Sequence, residues 1–448
     1  MPELLETARQ VIALALSKGA QEAECTISEG SEFSVSVRMR EIETLKEAAS
    51  KAAGVRVLIG KRVGSSHTSD LSKEGLERMV AGALELAQIT SEDPFAGLPD
   101  AAELGSIDTD LGLYADDVGQ LDTPARIRLA KETEEAAFAV DPRIVNSEGA
   151  SFGASEGARY FANSHGFSGW YRASMCSLST VPVAKDGDSM ERDFWYSAKR
   201  SYKQLEKPEV IGRIAAERAL RRLHARKVPT QKAPIVFDPR TARSLIGDIF
   251  DAVAGDSIYR KSSFLLDKLG QKVASDQFTV VDDATMPGLF GSQPFDDEGV
   301  PSRRTVVIEN GVLKSYLLNS YTARKLGMKT TGNASRGITG NASVGHGNLY
   351  LLPGVQTPEA IIGSVKNGLY VTELIGSGVN TVTGDYSLGA VGMWIENGEL
   401  AYPVSEVTIA GNLKEMLQAV TVIGCDLEFR SSVAAPTLQI AEMTISGQ

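Results

Sequence analysis

Histidine is scarce in this chain: 448 residues include four, His67, His165, His224 and His346. No two lie close enough to share one helix face, so the spacing excludes a zinc-binding histidine pair on a single helix. Cysteine is scarcer still. Cys25, Cys176 and Cys425 are odd in number and far apart, which excludes a disulfide framework and any Cys-x-x-Cys motif. That usage suits a reducing compartment, and a cytoplasmic location is expected. No apolar run approaches the ~18 residues that a membrane-spanning helix needs. The first residues, Met1 to Glu6, carry acids where a secretory signal carries basic residues, so no membrane role is expected. No Gly-x-Ser-x-Gly elbow precedes a helix, and a Walker-type phosphate loop and a credible dinucleotide fingerprint are missing.

Positive charge is in deficit. Lys and Arg number 46 against 57 Asp and Glu, a formal charge of -11, which argues against a nucleic-acid partner. One stretch runs the other way, with twelve Lys/Arg between Arg192 and Lys232. Part of it lies on an expected helix starting at Pro208 and reads as a solvated face. Phe194, Trp195, Tyr196 and Tyr202 all precede that helix, and none interleaves with its charges as base stacking requires. A hydrophobic content of 42% with 23% charged residues is that of a soluble globular protein, long enough for two or three domains.

Periodicity gives an amphipathic helix over residues 2–18, with Leu4, Leu5, Ala8, Val11, Ile12, Ala15 and Leu16 on one face. Strand alternation follows at Ala23, Cys25, Ile27 and at Phe33, Val35, Val37, Met39. Strands 55–59 and 63–68 flank a turn at Gly60-Lys61-Arg62, helices are expected at 72–88 and 123–139, and residues 91–99 form a loop. From Arg143 to Lys199 the pattern is strand-rich. Residues 227–234 read as a linker. Beyond it, Ile235–Phe237 is a short strand, and Asp238-Pro239 caps a helix carrying Leu245, Ile249 and Val253. The rest is mostly sheet, with helices near 358–366 and 412–420. The tetrapeptide Ile-Glu-Asn-Gly occurs at 308–311 and 395–398, and its Asn-Gly pair predicts type I′ hairpin turns. Mixed blocks of helix and strand indicate an α+β chain. It divides into an N-terminal α+β domain (1–230) and a β-rich C-terminal domain (231–448).

On chemistry alone the residues name no reaction. His165 and His346 sit in glycine-flanked turns and suit backbone hydrogen bonding. His224 is assigned to the basic helix and His67 to a strand. Asp282-Asp283 and Asp296-Asp297-Glu298 are candidates for a hard cation or an acid/base pair. Adjacent carboxylates on a strand point to opposite faces, so turn or surface acids are the expectation.

Longer segments carry a resemblance. Phe295-Asp-Asp-Glu-Gly-Val300, Arg304-Thr-Val-Val-Ile-Glu-Asn-Gly-Val-Leu313, and Ser320-Tyr-Thr-Ala-Arg-Lys-Leu-Gly327 with Thr331-Gly-Asn333 resemble signatures of the TldD/PmbA family. That family was once described as modulators of DNA gyrase and is now regarded as metallopeptidases. Val371-Thr-Glu-Leu374, Thr383-Gly-Asp-Tyr-Ser387 and Tyr402-Pro-Val-Ser-Glu-Val-Thr-Ile-Ala-Gly-Asn412 look most like its PmbA/TldE branch. Gly54-Val-Arg-Val57 and Asp93-Pro-Phe-Ala-Gly-Leu-Pro99 agree less distinctively.

In the TldD branch, the helix after the strand corresponding to Ile235–Phe237 carries His-Glu-x-x-x-His. Its two histidines bind zinc and its glutamate is the general base. Aligned on Gly255-Asp256, those positions here hold Ile246, Gly247 and Asp251. The branch also draws a cysteine ligand from near the C-terminus. The comparable stretch here, Ser431-Ser-Val-Ala-Ala-Pro436, has none, and Cys425 falls earlier. One carboxylate is short of the three protein ligands that catalytic zinc takes.

The resemblance therefore implies no catalytic residue and no metal in this chain, with zinc confined to a TldD-like paralogue. It implies a subunit of a TldD–TldE metalloprotease complex acting on unfolded or small peptides, in peptide maturation or antitoxin turnover. A homodimer is possible when the partner is absent. Gly378, Asn380, Thr383, Asp385 and Tyr386 are candidates for binding substrate, because glycine-rich strand ends let a peptide backbone approach closely. Ordinary hairpin turns explain them equally well. Two other readings stand beside this one: a non-proteolytic protein modulating DNA gyrase or a toxin–antitoxin system, and an independent hydrolase using Asp251 or Asp282/Asp283.

Overall fold

A computed structural model describes residues 2–447. The chain opens with α1 (Glu3–Ser17) and three antiparallel strands, β1 (Glu22–Arg38), β2 (Glu41–Ile59) and β3 (Arg62–Thr68). Next come α2 (Lys73–Ile89), the short α3 (Asp117–Gln120) and α4 (Thr123–Phe138). Strands β4 (Ile144–Asn163), β5 (Ser168–Asp186), β6 (Ser189–Arg192) and β7 (Trp195–Lys199) precede α5 (Pro208–Leu220). All seven strands form one sheet in the order β3-β2-β1-β4-β5-β6, with β7 also paired to β5.

Amphipathic helices close one end of this sheet. Leu5, Ala8, Val11 and Ile12 of α1 pack with Cys25, Ile27, Val55 and Val57 and with Met79 and Val80 of α2. At the other end Ala130 of α4 and Ile211 of α5 join Phe33, Val35, Phe152 and Leu178. Helix starts follow the local chemistry. The Ser72 hydroxyl accepts the Gly75 amide at the head of α2, and Asp122, one residue before the expected start, accepts that of Ala125.

One expectation needs correction here. The alternating segments 23–27 and 33–39 are a single strand, and Met39 lies past its end in a turn at φ 50°. Residues 41–51 lack an alternating apolar face and are exposed, yet they form the first half of β2. They are held extended by the register Arg38↔Glu41 to Gly30↔Ser50 against β1, so pairing overrides a weak local preference.

The second half begins with β8 (Gln231–Phe237), which takes up half of the expected linker. It is followed by α6 (Pro239–Val253), α7 (Gly255–Tyr259), β9 (Val280–Asp283), β10 (Arg304–Glu309), β11 (Val312–Leu313) and α8 (Ser320–Leu326). The remainder comprises β12 (Ala334–Ser335), β13 (Ser343–Val344), β14 (Asn348–Leu351), α9 (Pro358–Gly363), β15 (Asn367–Ile375), β16 (Asp385–Glu396), β17 (Glu399–Asn412), α10 (Leu413–Gln418), β18 (Val420–Ile423), β19 (Val433–Ala434) and β20 (Leu438–Ser446). One sheet runs β17-β16-β15-β8-β20-β18, and a further pairing of β17 with β20 closes it on itself. A second runs β11-β10-β9-β14-β19. Both share a core with α6, built on Ile235, Phe237, Leu245, Ile249, Val280, Leu349 and Leu369. Helices and sheets are mixed throughout, an α+β fold. Both Asn-Gly pairs are type I′ turns, with φ of 48° and 80° at Asn310 and Gly311, and 50° and 84° at Asn397 and Gly398.

Charge, rather than a solvated face, explains much of the basic stretch. Arg218 of α5 is buried and Arg222, two residues past its end, is half-buried, and their guanidinium groups meet Asp193 at 3.2 and 3.8 Å. Arg222 also reaches Glu373 of β15 at 2.5 Å, and Arg240 of α6 lies 3.5 Å from Asp193. This network joins the first sheet's flank to the second half. His224 is outside the helix, in a turn at φ 61° with Nε2 3.1 Å from Asp186.

Candidate functional site

The helix α6 is set by its first residues. Asp238 accepts the Thr241 amide at 2.8 Å, and Pro239 occupies the first turn, where its missing N–H costs nothing. From there Thr241, Ala242, Leu245, Ile246, Ile249, Ala252 and Val253 face inward. Ile246 has no solvent exposure. Around the next residue, Gly247, the space a Cβ would enter is open to 4 Å. Asp251 is exposed. The three positions thus point to the core, an empty side and the surface, and the helix does not bring them together.

What surrounds them is polar. The His346 ring stacks edge-on against Phe250 at 4.8 Å, and its Nδ1 lies 2.9 Å from the Gly347 carbonyl. Asp282 accepts the Gly347 amide and the Asn333 side-chain amide, both at 2.7 Å. Burial holds its carboxyl above the usual range, against the pull of Asn333 and the nearby His346. Asp248 is pushed up to about 6 by burial and by the Asp251 carboxylate. The Tyr386 hydroxyl is buried without a hydrogen-bond partner, and burial followed by Asp248 raises its pKa.

Among the described residues, no group of three or more His, Cys, Asp or Glu side chains is arranged to hold a metal ion. A zinc ion does not fit the α6 positions, which offer a buried alkyl group, a bare backbone and one exposed carboxylate. The 431–436 stretch packs nearby without a thiol: Ser431 Oγ accepts from Arg243 of α6 at 3.2 Å. Cys425 is exposed, and its amide donates to the Gln356 carbonyl at 2.8 Å.

The five substrate-binding candidates lie together where β15 turns into β16. A Cβ on Gly378 would sit 1.7 Å from the Ser387 carbonyl, so the close approach is made by the chain's own strand. Asn380 Oδ1 accepts the Val382 amide at 2.9 Å, Thr383 donates to Asp385 at 2.7 Å, and Asn412 donates to Asp385 at 3.0 Å. These groups satisfy one another, while the Tyr386 ring is buried.

The acidic clusters depart from expectation. Asp282, Asp283, Asp296 and Glu298 are buried rather than on the surface. Asp296 accepts amides of Glu298, Val300 and Ala334 at 2.9, 2.9 and 3.0 Å, and Glu298 accepts that of Ser320 at 2.9 Å. Nearby, the carboxylate of Glu24 on β1 is buried between Arg56 at 2.8 Å and Arg336. Burial would raise its pKa, but the two guanidinium groups hold it below the usual range. No sequence signal announced this triple, because Arg336 lies 312 residues from Glu24 and Arg56 lies 32 residues from it on another strand.

Three sequence models match the chain: "PmbA/TldA metallopeptidase domain 1" over residues 23–87, the central domain over 116–223 and the C-terminal domain over 230–447. Metalloprotease PmbA of Escherichia coli O157:H7 is 41% identical over 437 residues, covering 97% of this chain and 95% of that one. A crystal structure of a putative modulator of DNA gyrase from Bacteroides thetaiotaomicron superposes with a TM-score of 0.93 at 30% identity, covering all of both chains. That of TldE from Thermococcus kodakarensis gives 0.88 at 23% identity over 98% of this chain and all of that one, a likeness of fold.

Proposed function

The chain belongs to the PmbA/TldD metallopeptidase family, in its PmbA branch, and on that premise we propose that it is the non-catalytic subunit of a TldD–TldE-type peptidase. Its catalytic partner is a TldD-like paralogue that carries the zinc, and the substrates are unfolded or small peptides. The observation that carries this reading is Ile246. A side chain with no exposure, packed in the largest core of the molecule, stands where a first zinc ligand would be needed. Gly247 and the outward Asp251 support it, since neither base nor second histidine is present.

A chain without that chemistry acts through surfaces. It completes an assembly with the partner, and a permanent interface of this kind buries at least ~1,600 Å². When the partner is missing, an equivalent patch can pair two copies about a two-fold axis. The test is to mix this chain with a TldD-like paralogue, then measure size by exclusion chromatography and cleavage of an unfolded peptide. A stable hetero-oligomer is expected, with cleavage above that of the paralogue alone. No association and no stimulation would sink the subunit reading and favour a non-proteolytic binding protein.

A further inference from the structure

A cavity of about 650 Å³ opens between the two halves, and Gly247 is not among the residues that line it. Its walls come from the 90–97 loop, from α7 and α8, and from the 341–343 segment. That volume suits a small ligand or one end of a larger one. Three carboxylates line it, Asp93, Asp256 and Glu298. Each accepts a hydrogen bond, Asp93 from the Tyr321 hydroxyl at 2.7 Å, Asp256 from the Val344 amide at 3.0 Å and Glu298 from the Ser320 amide at 2.9 Å, and Asp93 and Asp256 are half-exposed.

Glu298 differs. It is 6% exposed, and its one hydrogen bond, from the Ser320 amide, reaches Oε2. Beside it lies the buried Ser320 hydroxyl, and the Arg336 guanidinium, shared with Glu24, also acts on this carboxyl. Burial holds the Glu298 carboxyl above its usual range, the state a bound cation would relieve. Both arginines of the cavity are engaged. Of the two cavity arginines, Arg56 is neutralised by Glu24 at 2.8 Å, and Arg260 is drawn onto Tyr259, with Nε 3.0 Å from its hydroxyl. The aromatic wall is suited to a cation. Tyr259 and Tyr321 meet edge-on at 6.0 Å, and Lys325 Nζ already lies 5.6 and 5.3 Å from their ring centres. Among the described residues no metal-holding cluster exists, which favours an organic cation.

We propose that this cavity binds a primary ammonium group carried on a peptide, with Glu298 as its counter-charge and the two tyrosines as its wall. The ammonium is that of a free amino terminus or of a lysine side chain. The inference rests on peptides being the substrate class of the subunit reading.

The test is calorimetric titration of the full chain at about pH 8 with three unfolded hexapeptides. One is lysine-free with a free amino terminus, one is the same peptide N-acetylated, and one is N-acetylated with a single lysine. At least one amine-bearing peptide is expected to bind tenfold or more tighter than the lysine-free acetylated one, and which of them does so identifies the source of the ammonium. Glu298→Gln keeps an acceptor for the Ser320 amide and is expected to bring that preference within twofold of unity. Should that variant fail to fold, Asp256→Asn is expected to reduce the preference at least threefold. Equal affinities, no binding, or a preference that survives in the folded variant would overturn the proposal. Amine-indifferent binding by a chain that still stimulates a TldD-like paralogue rejects this inference alone. Amine-selective binding without association rejects the subunit reading alone.

Discussion

Replacing Gly311 by alanine separates two costs that the β10–β11 turn carries together. At φ 80° the residue is left-handed, which costs an alanine roughly 1–2 kcal/mol. The added carbon would also sit 2.3 Å from the Ala274 carbonyl and 2.6 Å from that of Ser275. Relief requires moving backbone, an overpacking cost of about 1–3 kcal/mol. The sum is about 2–5 kcal/mol. Gly60 supplies the control, because it turns at φ 62° with no atom within 4 Å of the new carbon. Gly60→Ala should therefore cost about 1–2 kcal/mol and no more. Urea unfolding followed by circular dichroism gives the global difference. Hydrogen exchange gives the local one, because the Val273 and Ala274 amides donate to the Gly311 carbonyl at 2.7 and 3.1 Å. Their exchange should quicken by about thirtyfold or more in Gly311→Ala. Gly311→Val adds a β-branched side chain and should be worse still. Equal destabilisation by Gly60→Ala and Gly311→Ala would refute the steric argument, leaving conformation as the sole cost.

Rebuilding the motif with Ile246→His, Gly247→Glu and Asp251→His should give well under one zinc per chain by elemental analysis; stoichiometric zinc would contradict the divergent geometry of these positions. Arg336→Met should lower stability by about 3–5 kcal/mol, because it strips a guanidinium from the buried Glu24. Adding Glu24→Gln should recover part of that loss in a double-mutant cycle, and strict additivity would refute the coupling. Asp248 titrates at about 6 in the fold, above its ordinary value near ~4. The folded state therefore holds this proton more tightly, a stabilisation that is full below about pH 4 and lost as pH rises through about 6. Asp248→Asn should gain about 2 kcal/mol on the wild type between pH 4 and pH 7 in urea midpoints, and a pH-independent difference would refute the shift.

Elements with a local cause were legible in the sequence. The helix at α6 follows from Asp238-Pro239 and the spacing of Leu245, Ile249 and Val253; both Asn-Gly turns follow from the tolerance of these residues for positive φ. What the residues could not announce depends on distant partners. Residues 41–51 carry a sequence with little strand preference, and only the facing β1 holds them extended. Asp296 and Glu298 look like surface acids because their hydrogen-bond donors, at Val300, Ala334 and Ser320, are backbone amides with no sequence signature. Arg218 and Arg222 look like a solvated face because Asp193 and Glu373 lie on other elements.

The fate of α6 follows from the same physics. A histidine at position 246 would place a polar ring in a fully buried site, tolerable only while a metal satisfies its nitrogen. With the neighbouring ligands gone, an alkyl side chain there is favoured, and burying isoleucine contributes about 1.5–3 kcal/mol. The helix is then retained for what it touches. Its inward face joins β8, β14 and β15 in one core, and Arg240 at its start reaches Asp193 across to the first half. Such a helix cannot regain chemistry by one substitution: a histidine at 246 alone buries an unsatisfied polar group, and a glutamate at the open 247 or a histidine at the exposed 251 alone lacks the other ligands. In the subunit reading, contact with peptide comes from elsewhere, and the cavity bearing Glu298 is the place proposed for it. It lies on the seam between the halves, lined by Arg56 of the first and Asn341 of the second, and the Arg336–Glu24–Arg56 triple holds that seam in register. Loosening the triple should therefore weaken amine selectivity along with stability, a coupling that neither a purely structural ion cluster nor an isolated pocket would produce.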